Sequence, residues 1–135
     1  MYLIDTNVLS EVRRGSRGNP GAVRWMLATD PELTVTSVVV LAELLHGVER
    51  LRRRDPTQHA SLLSWYRSIR QGFGPRVYDV TEPIAVRWAE IMVPDRLPDL
   101  DALIAATALV HELTVVTRNV DDFERCGVKV FNPFI

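Results

Sequence analysis

The stretch Tyr2-Leu3-Ile4-Asp5-Thr6-Asn7-Val8-Leu9 decides the fold class. A short apolar run, Tyr2–Asp5, ends in an acid. Thr6 and Asn7 follow, residue types that can cap a helix running to about Arg14. Strand, acid and helix in immediate succession open a βα unit, and ligands in open α/β sheets bind beyond the carboxyl ends of the strands. Asp5 stands at such an end.

The alternation continues outward from there. Gly15–Gly21 reads as a loop and Ala22–Ala28 as a short helix. Leu33–Thr36 reads as a strand. Ser37 then caps a helical pattern to about Arg53, although Val38–Val40 makes its first turn ambiguous by propensity. Asp55-Pro56 breaks the pattern, and Gln58–Gln71 gives another helix. Val77–Val80 is a strand, and Thr81 caps the next helix, with Pro83 tolerated in its first turn. Pro94–Pro98 is a loop, Asp99 caps Leu100–His111, and Thr114–Thr117 is a strand. Asp121–Arg125 is a helical turn closed by Gly127, and Val128–Phe131 is a last strand. This order predicts one α/β domain over residues 1–135, with a parallel sheet between helical layers. Asn119, just past Thr114–Thr117, falls on the same rim as Asp5.

The composition is that of a globular chain: 135 residues, 47% apolar and 24% charged. No run reaches the ~20 apolar residues of a membrane helix, and the N-terminal stretch lacks a basic region followed by an apolar core, so the expected location is the cytoplasm, away from membranes. The single cysteine, Cys126, excludes an internal disulfide framework and a thiolate metal site. A net charge of −1 gives no nucleic-acid footprint. The distribution says more: Lys129 is the only lysine, and arginines cluster, above all Arg50, Arg52, Arg53 and Arg54, where bidentate phosphate contact is available. A solvated face is the ordinary reading of such a run.

Asp5, Glu43 in VVVLAELLHGV and Asp101 in LDALIAATALV are isolated carboxylates in segments that otherwise read as core. Asp5 could cap the following helix, and Asp101 sits in a first turn that favours acids. Glu43 has no in-helix basic partner: its neighbours three and four residues away are Val39, Val40, His46 and Gly47. If the three converge, their mutual repulsion raises their pKa values unless a divalent cation neutralises them. An all-oxygen site selects Mg²⁺ or Mn²⁺ over zinc, and can bind a phosphodiester and activate a water. Asn119, Asp121 and Asp122 could add a fourth ligand or orient the water. Thr6 and Thr117 supply hydroxyls near the rim and read as ordinary cap and strand residues. His46, His59 and His111 are scattered without metal-ligand spacing, Trp25, Trp65 and Trp88 fall on helix patterns, and GSRGNPG lacks the Gly-Lys-Ser/Thr ending of a phosphate loop.

With these residues in hand, the chain resembles the PIN-domain ribonucleases, and among them the VapC-type toxins of bacterial toxin–antitoxin pairs. The resemblance is carried by YLIDTNVLSE, SVVVLAELLHGV, LPDLDALIAATAL and LTVVTRNVDDFERCGVKVFNPF in that order over essentially the whole chain. It implies a compact α/β fold with helices on both sheet faces, and a Mg²⁺ site of Asp5, Glu43 and Asp101. It further implies RNA endonuclease chemistry by a metal-activated water, a homodimer, and a VapB-type antitoxin that blocks the site. The family's fourth acid falls on Asn119 here, which leaves Asp122 to supply the missing charge. Two readings compete: a PIN-fold interaction module without activity, and a DNA-directed nuclease, since acids that contact phosphates do not tell ribose from deoxyribose. A receiver-type domain lacks its acidic pair after strand one, and a haloacid-dehalogenase-like phosphatase would need Asp-x-Asp where Asp5-Thr6-Asn7 stands. The apolar tail Val130, Phe131, Phe134 and Ile135 offers either a dimer surface or packing onto the sheet edge.

Overall fold

A computed structural model of the chain describes residues Met1–Ile135. Five parallel strands lie in the order β3-β2-β1-β4-β5. They are β1 (Tyr2–Ile4), β2 (Thr34–Ser37), β3 (Val77–Tyr78), β4 (Thr114–Val116) and β5 (Lys129–Phe131). The helices α1 (Thr6–Arg14), α2 (Pro20–Ala28), α3 (Val38–Glu49), α4 (Pro56–Phe73), α5 (Glu82–Ile91), α6 (Asp99–Val110) and α7 (Val120–Glu124) connect and cover them, as expected of an α/β/α sandwich. No helix is long and apolar enough to cross a membrane.

The apolar runs explain the sheet. Leu3, Ile4, Val115 and Val116 are fully buried, because a central parallel strand is covered on both faces and has no use for polar alternation. Leu3 lies between Val35 of β2 and Val115 of β4. β2 is buried throughout yet rich in hydroxyls, and each hydroxyl finds backbone. Thr34 donates to the Pro31 carbonyl at 2.7 Å, Thr36 to the Ile4 carbonyl at 3.1 Å, and Ser37 Oγ accepts from the Val40 N–H at 3.2 Å. An orphaned hydroxyl in this position would cost about 1–3 kcal/mol. The chain steps from β1 to β2 and β3 on one side, then returns to lay β4 and β5 on the other. The switch point therefore falls between the carboxyl ends of β1 and β4, where the Asp5 N–H donates to the Val116 carbonyl at 3.0 Å.

Several boundaries differ from expectation, each for a local reason. α2 begins at Pro20 rather than Ala22 because Asn19 caps it, accepting from the Gly21 and Ala22 N–H groups at 3.1 Å each. The same side chain exchanges two bonds with the backbone of Ile135, at 2.9 and 3.2 Å. Gly15–Arg17 of the expected loop is a 3₁₀ turn. α3 stops at Glu49, not Arg53: the Leu51 and Arg52 N–H groups bond three residues back, tightening the chain and turning Leu51 inward. Asp55-Pro56 starts α4 rather than ending α3, with Asp55 accepting from the Gln58 N–H at 3.1 Å and Pro56 in the first turn. Asp99 is the first residue of α6, whose cap position is Pro98; its carboxylate is taken by Arg96 at 2.8 Å. Lys129 lies on β5. The tail packs largely on its own chain: the Phe131 and Trp25 ring centroids are 5.5 Å apart, and the Arg118 guanidinium lies over Phe134.

Candidate functional site

Asp5 is both the cap of α1 and the centre of the site. Its backbone is extended, as capping requires, and Oδ1 accepts the Thr6 N–H at 2.8 Å. Oδ2 accepts the Thr117 hydroxyl at 2.7 Å and the Asn7 amide at 3.2 Å. The residue is only 3% exposed. Burial pushes its carboxyl above the ordinary range, and the hydrogen bonds from Thr117 and Thr6 only partly offset this.

Two more acids come in from helices. Glu43, in the second turn of α3, accepts the Thr6 hydroxyl at 3.0 Å. Burial raises its pKa most; the Thr6 bond opposes, and the charges of Asp5 and Asp101 add to the rise. Asp101 is the third residue of α6, where the helix macrodipole alone would hold its pKa down. Instead burial, then the charges of Asp5 and Asp122, push it up to about 6. Repulsion and desolvation win over the dipole. No Lys, Arg or His forms an ion pair with Asp5, Glu43 or Asp101; the nearby Arg96 and Arg125 pair with Asp99 and Asp122.

The donor set is therefore all oxygen and uncompensated, which is the chemistry of a hard divalent cation. No group of three His, Cys, Asp or Glu side chains closes to metal-ligand spacing. Mg²⁺ tolerates that: it retains several waters and is held through one or two carboxylates rather than by an all-protein cage. Asp5, Glu43 and Asp101 are the residues that would hold such an ion.

Of the fourth-corner candidates, Asp122 shares the field of Asp101, whereas Asn119 serves as backbone scaffold. The Asn119 N–H donates to Thr117 Oγ1 at 3.0 Å, and the residue occupies the cap position of α7 without a side-chain bond. Asp122 is 3.7 Å from the Arg125 guanidinium, so part of its charge is answered. Arg50, Arg52, Arg53 and Arg54 are exposed beyond the end of α3, and only Arg52 is paired, with Glu49 at 2.7 Å. The histidines stand apart: His59 bonds Glu49 at 3.0 Å, and His111 stacks on Tyr78. Buried Cys126 donates to the Asp122 carbonyl at 3.3 Å, and burial raises its thiol pKa, so it is no nucleophile.

Reading Thr6 and Thr117 as ordinary cap and strand residues missed their part, for they donate to Glu43 and Asp5. Asn7 was missed too. Its amide donates to Asp5 Oδ2 and to Thr117 Oγ1 at 3.1 Å, while its carbonyl accepts the Arg118 N–H at 3.2 Å. The available signal was the Asp-Thr-Asn triplet itself: three polar residues packed against a core strand must spend their hydrogen bonds on something.

Known proteins share this arrangement of chain. The PIN-domain family matches residues 2–129. The toxin FitB of Neisseria gonorrhoeae is 35% identical over 141 residues, covering 99% of each chain. A VapC ribonuclease of Sinorhizobium fredii is 27% identical across 99% of this chain and 98% of its own. The crystal structure of FitAcB from Neisseria gonorrhoeae superimposes with a TM-score of 0.87 at 34% identity, over 98% of both chains. Strand order, the acid cluster at the switch point and these likenesses agree: the chain belongs to the PIN-domain family, with FitB and VapC toxins among its relatives.

Proposed function

We propose that the protein is a Mg²⁺-dependent endoribonuclease, the toxic member of a toxin–antitoxin pair, with Mn²⁺ able to replace Mg²⁺. The observation that carries this reading is the set Asp5, Glu43 and Asp101, three acids with raised pKa values and no cationic partner, at the sheet's switch point. Relatives named as a toxin and as a ribonuclease support it. A divalent ion at this place supplies charge neutralisation of the scissile phosphate and activation of the attacking water. The chain's own residues supply position. Thr117 and Asn7 fix the Asp5 carboxylate, and Thr6 fixes Glu43. Asp122, whose charge acts on Asp101, supplies the negative charge that Asn119 lacks at the family's fourth-acid position, and Asn119 steadies the strand end. The exposed Arg50, Arg52, Arg53 and Arg54 contact the RNA backbone.

The partners follow the same reading: an RNA substrate, a VapB-type antitoxin that covers the acids, and a second copy of the chain, all in the cytoplasm. A solved toxin–antitoxin complex from Klebsiella pneumoniae, one chain of which is 27% identical to this one, supports an antitoxin partner. Sedimentation showing only monomer at micromolar concentration would remove the dimer.

The deciding experiment is an incubation of antitoxin-free protein with structured RNA and with DNA, each with Mg²⁺ or EDTA, beside Asp5→Asn and Asp101→Asn. RNA cleavage that needs Mg²⁺ and disappears in both variants is expected. Equal cleavage by all three proteins refutes the site, cleavage of DNA alone makes it a DNA nuclease, and no cleavage of any nucleic acid leaves an interaction module.

A further inference from the structure

We propose that a groove between α1, α3 and α4 holds the RNA nucleotide next to the scissile phosphate, its phosphate on Arg13 and its base on the Arg13–Trp65 pair. This rests on the ribonuclease reading above and extends it to a subsite.

The groove has a volume of about 250 Å³ and is lined by Thr6, Ser10 and Arg13 of α1, Glu43 and Gly47 of α3, and Trp65 of α4, among others. One end is the acid cluster, since Thr6 and Glu43 are bonded to each other at 3.0 Å. The other end is cationic. Thr6, Ser10 and Arg13 follow one another at helical spacing, so Arg13 lies ~10 Å along α1 from the acids. A nucleic-acid strand needs a cation beyond the cleavage point for its next phosphate. Arg13 is exposed and makes no ion pair, although Arg14 beside it is taken by Glu11.

Trp65 supplies the second half of nucleotide recognition. The Arg13 guanidinium lies 5.9 Å from its ring centroid, at the outer limit of a cation–π contact. At that distance the hold is weak, and the arginine can turn to a phosphate while its plane or the indole receives a base. A Cβ added at Gly47 would meet nothing within 4 Å, so the groove has room at this point. The neighbouring groove between α1, α2 and α4 differs in kind. It is lined by apolar residues such as Leu9, Met26 and Phe73, and its one arginine, Arg76, is spent on the carbonyls of Pro31, Thr34 and Gly72. Only the first groove joins an unpaired cation and an aromatic ring to the acids.

The test uses a fluorescein-labelled single-stranded oligoribonucleotide of mixed sequence, cut in Mg²⁺ by the parent protein and by Arg13→Gln, Trp65→Leu and Trp65→Phe. Arg13→Gln should raise KM roughly tenfold and leave kcat within about twofold, and should flatten the salt slope of binding by about 0.7. Trp65→Leu should raise KM roughly tenfold, and Trp65→Phe should recover most of that loss, which separates stacking from a packing defect. In an Asp5→Asn background, which binds without cutting, the oligonucleotide should quench tryptophan fluorescence, and Trp65→Phe should abolish the quench. Parent-like KM in both Arg13→Gln and Trp65→Leu overturns the subsite while the ribonuclease reading stands. Parent-like KM together with weakened antitoxin binding assigns the groove to a protein partner and equally overturns it. If the parent neither binds nor cuts RNA, the ribonuclease reading fails and the subsite with it.

Discussion

Thr117 donates its hydroxyl to Asp5 Oδ2 at 2.7 Å, joining the ends of β4 and β1 across 112 residues of sequence. The oxygen of that hydroxyl accepts in turn from the Asn7 amide and the Asn119 N–H. Thr117→Val keeps the shape and removes all three bonds. With a carboxylate as acceptor, the expected loss is about 2 kcal/mol of unfolding free energy at pH 7, read by urea denaturation. Thr117→Ser should stay within about 1 kcal/mol of the parent. A valine variant as stable as the parent would show that the hydroxyl contributes nothing.

Asp101 predicts the pH dependence of the metal-free protein. Its carboxyl is raised from an ordinary 3.8 to about 6 in the fold. A raised acid favours the protonated native state, so the stability it contributes is complete below about pH 4 and is lost as pH rises through 6. In EDTA, the parent should therefore lose Tm between pH 4 and 7 relative to Asp101→Asn, which ends roughly 3–5 °C higher at pH 7. Millimolar Mg²⁺ should close that gap by raising the parent. Parallel Tm curves for the two proteins in EDTA would contradict the repulsion described at the site.

Gly21→Ala reverses a general rule. Alanine in place of a helical glycine ordinarily stabilises by up to ~1 kcal/mol. Here the added Cβ would stand 2.4 Å from the Pro133 carbonyl oxygen, a backbone atom, with Ile135 also in contact range. Thermal unfolding should show a lower Tm. Asn19→Ala, which removes the cap of α2 and its two bonds to Ile135, should cost at least ~1 kcal/mol as well. A Tm at or above the parent's for Gly21→Ala would mean that the tail lies elsewhere.

The arginine run makes a separate electrostatic prediction. Replacing Arg50, Arg53 and Arg54 by Gln removes three exposed cations without breaking an ion pair, whereas Arg52 is held by Glu49. If they neutralise RNA phosphates, binding should weaken for every sequence, and the salt slope should fall by about 0.7 for each phosphate left without its arginine. An unchanged slope would remove them from the interface.

The sequence showed the strand order's raw material and the three acids, because both are local signals. An apolar run ending in Asp5 marks a strand end, and Glu43 and Asp101 stand out against the core residues around them. What it could not show was partnership. Nothing near Thr117 announces Asp5, and nothing near Thr6 announces Glu43; those pairs exist only once β1 lies beside β4 and α1 beside α3. The Arg13–Trp65 groove is hidden for the same reason, being assembled from three helices. Boundary errors came from reading signals with two meanings. Asp55-Pro56 can end a helix or start one, and Asp99 can cap a helix or enter it; in each case a bond three residues away, Asp55 to the Gln58 N–H and Asp99 to Arg96, accompanies the outcome.

The pairing of β1 with β4 also sets when the charged centre comes into being. A chain still emerging from the ribosome carries Asp5, Thr6 and Glu43 early, but β1 has only β2 beside it until residues 114–117 have been made. Asp101 is made shortly before those residues and Asp122 shortly after them. During translation Asp5 therefore waits at an open sheet edge, without Thr117 to hold it and without its second neighbouring strand. The cluster of Asp5, Glu43, Asp101 and Asp122 therefore cannot come together until the stretch 114–122 has been made.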